Sequence, residues 1–80
     1  MLTLLNKTRM EILVFKTNLH SKQEIRKAGS FLKKLAGIIR WNVDLHDTDN
    51  ILRVVAASVS PRAVEHTLRQ AGYYCQELED

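Results

Sequence analysis

Few side chains in this 80-residue chain are able to do chemistry, and they are dispersed along it. The single cysteine, Cys75, can form no internal disulfide, and no structural zinc site made of several thiolates can be built around it. His20, His46 and His66 fall on separate segments; His20 could form a weak site with Glu24, although a solitary loop histidine is ordinarily solvated. There is no Ser/His/Asp set in a telling context, no glycine-rich phosphate loop and no close carboxylate pair flanked by pocket-forming residues, and Gly29, Gly37 and Gly72 stand far apart. The expectation is a protein that is not an enzyme and that carries no resident cofactor and no metal of its own.

The most informative short motif is Ser21-Lys22-Gln23-Glu24. A serine followed three residues later by a glutamate is a capping box: Ser21 is expected to accept from the Glu24 amide, and the Glu24 carboxylate from the Ser21 amide. Every helix start leaves backbone donors unpaired, so a structural role accounts for both residues.

The elements that would position these residues can be read in order. Residues 11–19 are branched and aromatic and predict a strand. Ile25, Ala28, Leu32 and Leu35 recur at helical steps and predict a helix over 21–35, with Gly37 ending it. Residues 38–45 set Ile39, Trp41, Val43 and Leu45 against Ile38, Arg40, Asn42 and Asp44, a period of two. The turn-forming residues 46–50 lead into the branched apolar run 51–57, predicting a hairpin. Ser60-Pro61 starts a second helix with Val64, Leu68 and Ala71 inward, Gly72 ends it, and residues 73–78 supply a short last strand. The order βαββαβ predicts an α+β, ferredoxin-like sandwich: a four-stranded antiparallel sheet with both helices on one face. A chain of this length makes one domain, over 10–80, with residues 1–9 as an N-terminal extension and Met10 as a candidate start.

Several stretches resemble the heavy-metal-associated family, which includes copper chaperones. They are Phe15-Lys16-Thr17-Asn18-Leu19, Leu32-Lys33-Lys34-Leu35-Ala36-Gly37-Ile38, the run Gly37 to Asp44, and Leu68-Arg69-Gln70-Ala71-Gly72-Tyr73. The resemblance covers residues 11–78 and implies the same fold. It places Leu19 at the methionine of the family's Met-x-Cys-x-x-Cys motif and Ser21 and Glu24 at its two cysteines. Soft thiolates are what Cu(I) selects, and a hydroxyl with a carboxylate cannot replace them. The resemblance therefore implies a degenerate member whose former metal loop, Leu19, His20, Ser21 and Glu24, is a contact region. Beside it Lys22, Arg26 and Lys27 would meet an acidic surface, such as that of a metal-transport protein.

Two other readings stand beside this one: metal handling through His20, Glu24 and Cys75 or through a partner's thiols, and small-ligand regulation on the same fold. Residues 14–19 partly resemble the strand signature of RNA-recognition motifs, but Lys16 occupies a position that family keeps apolar. Residues 51–57 also lack an aromatic on which bases could stack, so nucleic acid is disfavoured. The net charge of +3 is concentrated by Lys22, Arg26, Lys27, Lys33 and Lys34 in one segment. No apolar run is long enough to span a bilayer, no signal segment is evident, and the lone thiol fits a reducing compartment, so a cytoplasmic location without membrane insertion is expected. A homodimer could form through a sheet edge or the open sheet face, which Arg40 and Arg53 would keep wet.

Overall fold

Branched and aromatic residues over Ile12–Phe15, with Leu13, Phe15 and Thr17 buried at every second position, make Met10–Thr17 the first strand, β1, of a computed structural model that describes residues 10–78. The expected extension over 1–9 lies outside the described residues. After β1 come α1 (Lys22–Leu32), β2 (Ile38–Asp44), β3 (Ile51–Ala57), α2 (Pro61–Gln70) and β4 (Cys75–Glu77). The strands form one antiparallel sheet in the order β2-β3-β1-β4, the ferredoxin-like arrangement expected from the sequence.

The register explains the core. Leu13 pairs with Val54, which pairs with Trp41; Phe15 pairs with Leu52, which pairs with Val43. These two rows face the helices, and Phe15, Leu52 and Val54 are fully buried against Ala28, Leu32, Val64 and Leu68. Ile25 and Leu35 pack against that cluster from its rim. On the opposite face Arg40 and Arg53 are exposed, as expected.

Local chemistry moved several boundaries. The chain leaves β1 at Thr17 rather than at residue 19, because the Thr17 hydroxyl takes the Leu19 amide at 3.1 Å and turns the backbone. Helix α1 stops at Leu32, and tighter turns follow, with Lys34 N–H donating to the Phe31 carbonyl and Leu35 N–H to the Leu32 carbonyl. Gly37 therefore does not cap α1. It has φ +99° at the entry to β2, where its carbonyl accepts from Ala57 N–H at 2.8 Å and a Cβ would collide with the Ala57 carbonyl and the Val59 side chain. Ala71, expected to face inward, is the half-buried C-cap of α2, and β4 keeps only three of the six expected residues.

The expected strict alternation of 38–45 fails at one place. Ile38 pairs with Ala56 and Arg40 with Val55, so Ile39 is the extra residue of a β-bulge. The bulge shifts the phase: Ile38 and Trp41 both pack on the core, while Ile39 stays 50% exposed. Leu45 lies beyond the strand and is exposed.

Candidate functional site

Helix α1 begins where β1 delivers the chain over the end of the sheet, and its cap decides what the entrance loop presents. Ser21 is the N-cap, extended at φ −143°, and its Oγ accepts from Glu24 N–H at 3.1 Å, as the sequence predicts. The other half of the box differs. Glu24 Oε1 accepts from the His20 amide at 2.9 Å, one residue before the expected Ser21 donor. The same oxygen lies 2.8 Å from His20 Nδ1, and this second contact holds the carboxylate over residue 20. His20 Nδ1 is also 3.2 Å from the Asn18 carbonyl.

The residues expected to form the loop site are thus only partly gathered. His20, Ser21 and Glu24 come together through the cap, whereas Leu19 is fully buried and belongs to the core, so it offers nothing to a surface ligand. Lys22, Arg26 and Lys27 are exposed on α1, and none has a carboxylate partner among the described residues. Like-signed charges at 22 and 26, four residues apart on one helical face, present a local positive surface.

Cys75 is elsewhere. It pairs with Thr17 in the sheet and is fully buried. Burial pushes its thiol up to about 12, with the Glu65 carboxylate adding to the rise and the Arg69 guanidinium opposing it. A thiol so held is protonated at ordinary pH and is a poor ligand or nucleophile. His46 is exposed in the β2–β3 turn and His66 on α2. Among the described residues no group of three or more His, Cys, Asp or Glu is placed to hold a metal ion, and no helix is long and apolar enough to cross a membrane.

Two residues that sequence reasoning passed over organise this end of the molecule. The Thr17 hydroxyl, 5% exposed, donates to the Asn50 carbonyl at 2.7 Å while accepting from Leu19 N–H. Asn18 Oδ1 accepts from Tyr74 N–H at 2.9 Å. A threonine and an asparagine closing a strand carry side chains suited to such backbone contacts, and that was the available signal.

Neither any protein-family model nor any curated protein matches the sequence. Solved structures do. The apo N-terminal domain of ZntA superposes with a TM-score of 0.77 at 22% identity, covering 89% of this chain and 96% of that one. Its Zn(II) form gives 0.68 at 27% identity, covering 85% and 92%. The yeast copper transporter domain Ccc2a, solved in apo and Cu(I)-loaded states, gives 0.74 at 15% identity, covering 86% and 96%. The chain has the fold of these domains and resembles the heavy-metal-associated domains in degenerate form, its one cysteine buried in β4 and a serine–glutamate helix cap standing where the resemblance places a thiol pair.

Proposed function

We propose that this chain is a non-enzymatic interaction module that works without a bound metal and docks onto an acidic protein surface through the α1 entrance and the adjoining helix face. The observation that supports it is the use of Ser21 Oγ and Glu24 Oε1. The polar atoms standing where the resemblance puts thiols are spent on the amides of Glu24 and His20. What remains exposed there is His20 with the cations Lys22, Arg26 and Lys27. Since the similar structures include a Zn(II) form and a Cu(I)-loaded state, a protein of metal transport is the partner class this reading favours.

Metal handling through His20, Glu24 and Cys75 loses support from the placement of Cys75, which is fully buried in β4 opposite Thr17 while His20 is exposed at the loop surface. Reduced protein titrated with Cu(I) against a chelator of known affinity is expected to leave the ion with the chelator. Stoichiometric uptake would overturn the proposal. Docking through exposed cations is expected to weaken as salt rises from low to physiological strength, and affinity indifferent to salt would remove the α1 face from the assignment.

A further inference from the structure

The two edges of the sheet are finished differently. At β4, side chains of α2 occupy the outward backbone: Arg69 Nε and Nη2 donate to the Cys75 carbonyl at 3.1 and 2.8 Å, and Glu77 N–H donates to Glu65 Oε2 at 2.7 Å. At β2, the other edge, no side chain among the described residues bonds to the backbone of 38–43. An unpaired strand edge of this kind is a template for another strand.

Beside that open edge, the end of α1 and β2 enclose a groove of about 550 Å³. Its apolar wall comes from Leu35, Ile38, Ile39 and Trp41, and the cations Lys33 and Arg40 border it; no carboxylate lines it. The bulge creates this wall by leaving Ile39 toward solvent while Ile38 and Trp41 stay on the core side. Gly29 lets the indole lie against α1, since a Cβ there would come within 2.6 Å of Trp41 Cζ2.

Charge selects the occupant. A second copy pairing β2 with β2 about a two-fold axis at Arg40, the register centred on the groove, would set that cation against its own kind. A copy offering β4 would first have to release the Arg69 and Glu65 bonds. An extended segment with carboxylates flanking an apolar side chain meets the edge, the groove and the cations together. The geometry points to the β2 edge as a docking site for an extended acidic segment of a partner protein, which adds as a fifth strand with an apolar side chain between Leu35 and Ile39. This surface lies beyond the opposite end of α1 from Ser21 and does not depend on the docking proposed there.

The probe is a capped heptapeptide alternating aspartate or glutamate with leucine and phenylalanine, titrated into the full chain while backbone amide NMR shifts are followed. The expected shifts centre on residues 33–41, binding weakens about tenfold with Ile39→Ser, and the Lys33→Glu/Arg40→Glu double variant prefers a lysine-substituted peptide. Methylating alternate peptide nitrogens is expected to abolish binding, which side-chain attraction alone would survive. Because Ile39 is exposed, an unchanged amide spectrum away from the groove establishes that the variant is folded. Equal binding of acidic and lysine peptides, shifts centred on residues 20–27, no binding at millimolar peptide, or concentration-dependent shifts at β2 without peptide would each overturn the inference.

Discussion

Cys75 shows how burial decides the fate of a reactive group. Its thiol is raised to about 12 in the fold, from an ordinary value of about 9, and the first cause is desolvation. The unfolded chain ionises this group first, so below pH 9 the buried thiol takes nothing from stability, and between pH 9 and 12 the fold is progressively weakened. Urea unfolding of the parent and of Cys75→Ala is expected to show a steeper loss with rising pH in the parent, and parallel pH profiles would refute it. At this scale the sequence was partly readable. The Ser21 cap followed from residue type, because it answers a need of every helix start. The partner of Glu24 did not, because it depends on where the His20 ring lies, and a ring position is set by the folded loop.

Helices and strands were legible wherever periodicity ran unbroken, as in α2 and β3, and misread where one residue interrupted it. An inserted residue such as Ile39 leaves no compositional mark: Ile38, Ile39 and Trp41 are all good strand formers, and only pairing with β3 shows which is surplus. The glycines carry a sharper lesson. Gly37 and Gly72 both have positive φ, +99° and +97°, but Gly37 is crowded by β3 while nothing lies within 4 Å of a Cβ at Gly72. Gly72→Ala is expected to cost about 1–2 kcal/mol, the strain of a left-handed backbone alone. Gly37→Ala should cost clearly more, because the Ala57 carbonyl must also move. Chemical denaturation of the two variants checks the order, and equal losses would show that the β2 entry yields easily.

For the molecule as a whole, the order of elements foretold the sheet because antiparallel neighbours and right-sized connections leave few alternatives. The finishing of its edges was invisible in the sequence, since Arg69 and Glu65 read as ordinary polar positions on α2. Their bonds to β4 predict that the Glu65→Ala/Arg69→Ala double variant, still folded, self-associates in sedimentation at concentrations where the parent stays dispersed. An unaltered sedimentation profile would mean that the shortness of β4 is protection enough.

The Thr17 hydroxyl sits between the Leu19 amide and the Asn50 carbonyl, so one oxygen atom fastens the start of α1 to the far tip of a hairpin more than 30 residues away in sequence. Thr17→Val keeps the shape and deletes that fastening, orphaning a buried donor at about 1–3 kcal/mol. Hydrogen–deuterium exchange should then quicken at 18–20 and at 46–50 in the same proportion, while the amides of α2 keep their protection. A contact that loosens this corner in one place would be felt across it, and the entrance loop and the hairpin tip behave as a single mechanical part.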